Sequence, residues 1–280
     1  MKITNINPGW GTMIECDKDQ ILSHDPAFFK ELGYNRDLVI LRGLGKLTLE
    51  EHYKILSYFA QPWNAEDYLH SKEVVINFEY NGLSVCISKF SNKNSRLGSV
   101  KMPWHVDIGN YGDKSFPWRA LYNLKNPNPK GGITSWLNLR LDLINPPSDK
   151  LEYYKNIEVV NQSWHTGDAE FLTRNPYIKT HPITGKDSLR SNYFVAPESS
   201  PHAWIKETYL QGQLVDNLTV LGAIHTELSA RSELVYNHQW KLYDIIIYDN
   251  WNLMHKRTQL DISDEERLFW RTNLYHDKYY

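Results

Sequence analysis

The sequence predicts a mainly β protein with flanking helices, whose core is an antiparallel sandwich or barrel. Aromatic residues make up 13% of the 280 residues, including 10 Trp and 18 Tyr, which favours broad, packed sheet surfaces. Strand patterns dominate both ends of the chain, and strands and helices do not alternate regularly as they do in doubly wound folds. No repeat, low-complexity tract or linker interrupts the sequence, so we expect a single domain over residues 1–280.

The first half of the chain contains three local signals. The run DLVILRGLG (37–45) predicts a buried strand that ends in a glycine turn. In LTLEEHYKILSYFA, Thr48 is followed three residues later by Glu51, which is the pattern of a capping box on an amphipathic helix. EVVINFEY and LSVCISKF are joined by Asn81-Gly82, the strongest short-range signal for a hairpin.

The second half contains a glycine turn, one long helix and three closing strands. GGITSWLNL predicts a turn that leads into a strand, and apolar residues at helical spacing predict the longest late helix over residues 216–234. The closing strands are expected in KLYDIIIYDN, NLMHKR and ERLFWRTNLYH.

Charge and cysteine content narrow the class of protein. The formal net charge is −2 and no basic run stands out, which disfavours binding to nucleic acid or to a membrane surface. Cys16 and Cys86 fit neither a disulfide framework nor a zinc ribbon, so a reducing compartment is expected. Residues 1–15 lack the apolar segment of a secretion signal, and no later stretch approaches a membrane span. We therefore expect a cytoplasmic protein.

Two histidine-x-acid patterns are candidates for a metal site. His105 and Asp107 lie in VKMPWHVDIG, a run rich in strand formers, where residues i and i+2 point the same way and can converge on one ion. His225 and Glu227 have the same spacing in a helical pattern, where i and i+2 diverge. We therefore interpret His225 as a structural residue and the first pair as two metal ligands.

A third ligand must come from elsewhere in the fold. Among the remaining histidines, His255 stands out because it follows the apolar strand and short turn of IIIYDNWNLMH. Arg267 and Arg271 follow it in ERLFWRTNL. In a strand they share one face, while the other face is apolar and must be packed. The alternating faces are Arg267, Phe269, Arg271 and Asn273 on one side, and Leu268, Trp270, Thr272 and Leu274 on the other. Guanidinium groups that point inward require anionic partners.

Taken together, these segments resemble the TauD/TfdA family of Fe(II)- and 2-oxoglutarate-dependent dioxygenases. WHVD is similar to the family's His-x-Asp iron motif, GGITSW to its GG-x-T-x-W segment, and IIIYDNWNLMHKR to the segment with the distal histidine. RLFWR and KTHPITGKDSL also resemble family segments, and the family order is kept over roughly residues 37–275. By this resemblance the iron ligands are His105, Asp107 and His255.

The resemblance also implies a double-stranded β-helix (jelly-roll) core and further site residues. Thr134 and Arg267 match contacts of 2-oxoglutarate, and Arg271 matches a second arginine near the substrate or the metal end of the cosubstrate. Two His and one carboxylate leave three open positions on Fe(II) for the 2-oxo acid and dioxygen. The family reaction releases succinate and CO2 and oxidises an unactivated C–H bond. Relatives are often homo-oligomers.

The sequence departs from the family pattern near the substrate. Lys101 stands where some members place a substrate-contacting asparagine, and Tyr243 stands where the family often has glycine, so a different turn is expected there. Lys101, Arg119 and Arg271 together predict a small substrate that is anionic or resembles an amino acid. The choice among hydroxylation, desaturation, epoxidation and ring closure stays open.

Other interpretations of these residues predict different proteins. A zinc hydrolase could use the same two His and one Asp, although it leaves Thr134 and Arg267 without a role. A non-catalytic jelly-roll that binds a small acid is expected to have lost a ligand, and none is missing. For the neighbouring residues, Trp104 and Trp136 are interpreted as packing residues and His181 as a residue that orders its turn. Trp118 and Arg119 either line the substrate pocket or cap a surface loop.

Overall fold

The computed structural model describes residues 1–62, 74–93, 101–106, 118–126, 131–163, 171–190, 203–260 and 265–275. The strands are β1 (Lys2–Asn7), β2 (Trp10–Glu15), β3 (Leu38–Arg42), β4 (Val74–Tyr80), β5 (Leu83–Ser91), β6 (Met102–His105), β7 (Trp118–Lys125), β8 (Thr134–Asn138), β9 (Ile157–Ser163), β10 (Phe171–Pro176), β11 (Ile178–Thr180), β12 (Asp187–Leu189), β13 (Ala203–Leu210), β14 (Gln213–Val215), β15 (Val235–His238), β16 (Ile245–Asp249), β17 (Leu253–Arg257) and β18 (Leu268–Leu274). The α-helices are α1 (Lys18–Leu22), α2 (Pro26–Arg36), α3 (Leu49–Ser57), α4 (Leu141–Ile144), α5 (Ser148–Lys155) and α6 (Ala223–Ser229).

Two sheets pack face to face as a jelly-roll, which confirms the predicted fold class. The larger sheet has the order β1-β2-β3-β16-β7-β18-β5-β4, and the smaller has the order β15-β8-β17-β6. All pairs in both sheets are antiparallel except β2 with β3. The core between the sheets contains Trp10, Leu38, Ile40, Trp136, Trp240, Ile246, Tyr248, Leu253 and Phe269. Inward-facing side chains from both sheets fill this layer, as alternation along each strand requires.

The outer faces of both sheets are covered. Helices α2 and α3 pack on the larger sheet through a second core, which contains Phe29, Ile55, Trp118, Tyr122 and Leu274. The smaller sheet is covered by a third core built with α6 and with a further sheet of order β10-β9-β13-β14. In the described part of the chain, no helix is both long and apolar enough to cross a membrane.

Local signals predicted several elements correctly. The Thr48 side chain accepts from the Glu51 backbone and the Glu51 side chain accepts from the Thr48 backbone, so the capping box that begins α3 is confirmed. Asn81 and Gly82 have φ values of 49° and 78°, as a two-residue hairpin turn requires, and β4 and β5 pair across them.

The late helix differs from the prediction. Residues 216–234 form a π-helical turn at Leu218–Gly222, then α6, and then a 3-10 turn at Ser232–Leu234. A π turn inserts one residue into the helical ladder, and Gly222 lies where the ladder changes. Apolar spacing alone does not reveal such an interruption.

Candidate active site

Two buried histidines face each other across neighbouring strands of the smaller sheet. His255 on β17 is directly opposite His105 on β6, and their ring centroids are 4.0 Å apart. Their exposed fractions are 8% and 3%. Because directly opposite residues of an antiparallel pair point to the same face, the strand register brings the two imidazoles together.

The backbone fixes the protonation of His105. Its Nδ1 lies 2.7 Å from the carbonyl oxygen of Pro103, which can only accept a hydrogen bond. Nδ1 therefore carries the proton, and the lone pair of His105 lies on Nε2. A hydrogen bond donated by the ring nitrogen that does not bind the metal is the usual way in which proteins orient an imidazole ligand.

Asp107, the predicted carboxylate ligand, lies outside the described residues. Val106, the residue between the two predicted ligands, is buried in the core on the outer face of the smaller sheet. His105 is thus the last inward-facing residue of β6 that the structure describes.

A buried polar cluster holds the turn that leads into the His255 strand. Asp249 at the end of β16 accepts hydrogen bonds from the Trp251 backbone N–H at 2.7 Å and from Asn252 Nδ2 at 3.1 Å. The same Asn252 amide donates to Asp37 Oδ1 at 2.8 Å. Asp37 is 1% exposed and forms an ion pair with Arg140 at 2.9 Å. Asn252 therefore bridges two buried carboxylates three residues before His255.

His181 orders its own turn, as predicted, and also reaches this cluster. Its Nδ1 accepts from the backbone N–H groups of Ile183 and Thr184, each at 3.1 Å. Two donors aimed at Nδ1 require that the proton of the neutral ring lies on Nε2. Nε2 in turn lies 3.0 Å from Asp249 Oδ2. The predicted HP-x-TG turn is thus tied to the turn before His255.

Arg267 is a buried cation at the other end of the inner face. Its Nη2 donates to the Gly132 carbonyl oxygen at 2.9 Å, and its Cζ lies 4.6 Å from the ring centroid of Phe269. Burial, followed by repulsion from Arg257, lowers the pKa of Arg267 to about 9. The guanidinium is still charged at neutral pH, and a nearby anion would offset the cost of its burial.

Gly132 is required by the close approach of Arg267. Its φ is +62°, and a Cβ at this position would lie 2.5 Å from Arg267 Nη1 and 2.5 Å from Leu260 Cδ2. Any residue with a Cβ at this position would both strain the turn and push the Arg267 guanidinium away. The second glycine of GGITSW therefore has a physical role beside the arginine.

Thr134 lies on the same inner face, two residues after Gly132. Its Oγ1 accepts a hydrogen bond of 2.9 Å from Trp240 Nε1. In the strand register Thr134 is opposite Arg257 on one side and His238 on the other. Arg257 is buried, and its Cζ lies 6.0 Å from the ring centroid of Phe90.

A buried network surrounds Trp240. His238 Nε2 lies 3.1 Å from Asp244 Oδ2, and Tyr236 Oη lies 3.0 Å from His238 Nδ1. Arg42 forms a bidentate ion pair with Asp244, in which Nε lies 2.9 Å from Oδ1 and Nη2 lies 2.7 Å from Oδ2. Burial lowers the pKa of His238 despite its carboxylate partner. Burial alone would raise the pKa of Asp244, but the hydrogen bonds from Arg42 and His238 lower it.

Two further predicted residues face the space between the sheets. Arg271 Cζ lies 5.7 Å from the ring centroid of Phe90, which is the same ring that Arg257 approaches from the opposite sheet. Arg119 is 2% exposed and is opposite Tyr248, whose ring centroid lies 5.2 Å from that of His255. The interior position of Arg119 excludes the interpretation that it caps a surface loop.

Trp118 and Lys101 lie elsewhere. Trp118 neither lines the inner face nor caps a loop: it packs in the core beneath α2, with its ring centroid 5.6 Å from that of Tyr34. Lys101 is exposed just before β6. Its charge helps to lower the pKa of Lys256, after the larger effect of burial. Lys256 Nζ lies 4.4 Å from the ring centroid of Trp104, on the outer face of the smaller sheet.

The second histidine-x-acid pattern is structural. His225 is 2% exposed in α6, and its Nε2 lies 3.1 Å from Tyr177 Oη. Burial lowers the pKa of His225 to about 4, which keeps the ring neutral. Glu227 points to the surface, where it pairs with Lys150. The two side chains diverge, as their helical spacing predicted.

The sequence matches the model of the taurine catabolism dioxygenase TauD, TfdA family over residues 2–273. The chain belongs to the TauD/TfdA family. It is 24% identical over 184 residues to the alpha-ketoglutarate-dependent 2,4-dichlorophenoxyacetate dioxygenase of Burkholderia sp. (strain RASC), a match that covers 61% of this chain and 57% of that relative. The chain thus spans little more than half the length of this curated relative.

Solved structures show the same fold at low identity. A candidate alpha-ketoglutarate-dependent taurine dioxygenase from Burkholderia xenovorans superposes with a TM-score of 0.70 and 19% identity, covering 99% of this chain and 93% of that one. AAD-2, solved with Mn(II) and N-oxalylglycine, gives a TM-score of 0.69 and 17% identity, covering 98% of this chain and 96% of that one.

Several residues of this TauD/TfdA site were missed by sequence reasoning. Arg257 and Asn252 lie in predicted segments without a predicted role, Trp240 lies outside every predicted segment, and Asp37 is predicted only as the start of a strand. A local signal existed for Arg257, because alternation along a strand places it on the same face as His255. The other contacts join segments far apart in sequence, and no local pattern reports them.

Proposed function

We propose that this chain is an Fe(II)- and 2-oxoglutarate-dependent dioxygenase whose iron ligands are His105, Asp107 and His255. The observation that carries the proposal is the buried pair His105 and His255, opposite each other on β6 and β17. The buried Arg267 lies against Phe269 in the core between the same two sheets. Membership of the TauD/TfdA family supports it, as do the names of the curated relatives.

The side chains present fit an iron ion. His105 offers Nε2 as a lone-pair donor because Pro103 holds the proton on Nδ1. No group of three His, Cys, Asp or Glu that could hold a metal ion occurs within the described ranges. A third protein ligand must then come from outside them, and Asp107 follows His105 by two residues. Two imidazoles and one carboxylate form the facial set that suits non-haem Fe(II).

The surroundings of Arg267 can accommodate a carboxylate of 2-oxoglutarate. Arg267 uses Nη2 on the Gly132 carbonyl, while its buried Nε has no hydrogen-bond partner among the described residues. A planar guanidinium with an open donor is suited to bidentate recognition of a carboxylate. The Thr134 hydroxyl lies on the same inner face and would be a second contact. AAD-2, which shares the fold, was solved with the 2-oxo acid analogue N-oxalylglycine.

The chain's own residues would bind and orient the reactants. Bound iron and 2-oxoglutarate would together supply oxidative decarboxylation to succinate and CO2, coupled to oxidation of a substrate C–H bond. Asn252 and Asp249 hold the turn that sets the position of His255. Trp136 and Tyr248 lie beside that histidine in the core between the sheets, where they would keep water away from a bound metal ion.

We further propose a small anionic or amino-acid-like substrate. Arg119, which is buried, and Arg271, which is half-buried, both face the space between the sheets, and cations placed there favour an anionic occupant. Lys101 would contribute from the exposed segment before β6. The test is coupled turnover of matched acids and amides, in which the acid should be preferred and Arg271→Ala should reduce the preference. Equal turnover of acid and amide would contradict this substrate class.

The reaction class is tested by anaerobic titration with Fe(II) and 2-oxoglutarate, followed by a turnover screen. We expect one equivalent of each to bind, with the weak visible charge-transfer band of a chelated 2-oxo acid, and succinate release with small acids, sulfonates or amino acids. Asp107→Ala should end oxygenation. If Zn(II) supports hydrolysis and Fe(II) gives neither the band nor succinate, the zinc hydrolase is the correct interpretation.

A further inference from the structure

The hydroxyl of Thr134 is already engaged on one side by a tryptophan. Trp240 Nε1 lies 2.9 Å from Thr134 Oγ1, and the two side chains are 4% and 6% exposed. An indole N–H can only donate, whereas a hydroxyl has one hydrogen and two lone pairs. Thr134 must therefore accept from Trp240, and its own hydrogen is left to point elsewhere.

The position of Trp240 is firmly held. Its ring packs edge-on against His238, with centroids 4.8 Å apart, and against Phe269, with centroids 4.7 Å apart. Beside it, the Lys241 backbone N–H donates to Asp244 Oδ2 at 2.9 Å, and Asp244 is itself fixed by Arg42. Ring packing on two sides and an anchored neighbouring backbone therefore hold the indole against Thr134.

We propose that Trp240 is a positioning residue that fixes the Thr134 hydroxyl as a hydrogen-bond donor toward the carboxylate of 2-oxoglutarate. The inference rests on the proposed function. An ionised carboxylate can only accept, so a hydroxyl whose hydrogen is free is a matched partner beside Arg267. Without the indole N–H, the hydroxyl would rotate among several acceptors, and part of the binding free energy would be spent on orienting it.

The test is a double-mutant cycle on 2-oxoglutarate affinity. The dissociation constant is measured by the visible band of the anaerobic Fe(II) protein, for wild type, Trp240→Phe, Thr134→Val and the double variant. Trp240→Phe keeps the aromatic packing and should weaken 2-oxoglutarate binding about three- to tenfold, the range for one neutral hydrogen bond. In the Thr134→Val background it should have no further effect, and Fe(II) affinity should stay constant throughout.

Trp10→Phe is the matched control. The Trp10 indole is also buried and donates at 2.9 Å, but to the carbonyl of Glu233, away from Thr134. This variant should lose stability and keep the wild-type affinity for 2-oxoglutarate. Should Trp240→Phe fail to fold, Trp240→Leu, which also lacks the donor, takes its place in the cycle.

The outcomes separate the two proposals. If the wild-type protein binds Fe(II) without developing the band, the proposed function fails and this inference with it. If the band forms and Trp240→Phe leaves the dissociation constant unchanged, only this inference is overturned. It is also overturned if Trp240→Phe weakens binding equally with and without the Thr134 hydroxyl, because the tryptophan would then act through packing alone.

Discussion

The two ends of the candidate site are built in different ways. At the histidine end, His105 and His255 lie on adjacent hydrogen-bonded strands, and the strand register alone sets their separation. At the arginine end, the contacts join the turn before β8, the residue before β18 and the loop that carries Trp240. Secondary structure thus positions the first end, and packing between distant segments positions the second.

This difference predicts how each end fails. At the histidine end, loss of a ligand should abolish metal binding, because strand pairing holds the ligands and the turn before His255 contributes only a small part of their positioning. The arginine end depends on several weak contacts, so changes there should weaken 2-oxoglutarate binding by degrees.

Removing either histidine should abolish metal binding. His105→Ala or His255→Ala takes away one of the proposed iron ligands, and neither strand offers another in register. We expect loss of Fe(II) binding, the visible band and turnover, measured by anaerobic titration and succinate release, with a folded protein by circular dichroism.

His225→Ala is the control for this loss. It removes a buried histidine and its contact with Tyr177, so a stability loss on the order of 1–3 kcal/mol is expected. Fe(II) binding should remain at the wild-type level. Intact iron binding after both His105→Ala and His255→Ala would show that the ligands lie elsewhere.

Arg267→Ala should produce the next largest effect. Loss of a charge-assisted pair of roughly 1.5–3 kcal/mol should raise the Michaelis constant for 2-oxoglutarate at least about tenfold. Arg271 is four residues further along the chain, about 13 Å in an extended strand, and is too far to share that carboxylate head-on. Arg271→Ala should therefore raise the Michaelis constant for the substrate more than the Michaelis constant for 2-oxoglutarate. The reverse pattern in steady-state kinetics would mean that the two arginines have been assigned in the wrong register.

Gly132→Ala should weaken 2-oxoglutarate binding by a smaller factor. The new Cβ would lie 2.5 Å from Arg267 Nη1, so the guanidinium must move. Gly185→Ala is a matched control, because Gly185 has φ +69° and a Cβ there meets nothing within 4 Å. Both variants should lose about 1 kcal/mol or more from backbone strain. Only Gly132→Ala should also raise the 2-oxoglutarate dissociation constant, by about three- to thirtyfold. Equal affinities in the two variants would remove the role assigned to the Gly132 contact.

The same contrast explains what could be predicted from sequence. The capping box at Thr48, the hairpin at Asn81-Gly82 and the divergence of His225 from Glu227 follow from local rules on spacing and turn chemistry. The two faces of β18 were also predicted correctly, since Phe269 packs between the sheets and Trp270 packs outside them.

The contacts that sequence reasoning missed are tertiary. Trp240 donates to a threonine 106 residues away, and Asn252 donates to an aspartate 215 residues away. Tyr243 stands where the resemblance suggested glycine, and it adopts φ 67°, a conformation that favours glycine. Nothing in the local pattern distinguishes Trp240 and Asn252 from ordinary core or loop positions.

The smallest effect should come from the cluster behind His255. Asn252→Ala removes the amide nitrogen that donates to both Asp37 and Asp249, so each buried carboxylate loses a hydrogen bond. The Ser188 hydroxyl also loses its acceptor, Asn252 Oδ1, which lies 2.6 Å away. We expect about 2–4 kcal/mol lower unfolding free energy and a few-fold weaker Fe(II) binding, because the turn before His255 loosens while the strand pairing persists.

Asn123→Ala is the control, since the buried Asn123 amide donates to the Lys241 carbonyl at the opposite end of β16. It should lose stability to a similar extent and keep wild-type Fe(II) affinity, measured by anaerobic titration alongside chemical denaturation. If Asn252→Ala abolished iron binding outright, the histidine end would depend on its supporting loop as strongly as the arginine end does, and strand register would no longer be a sufficient account of it.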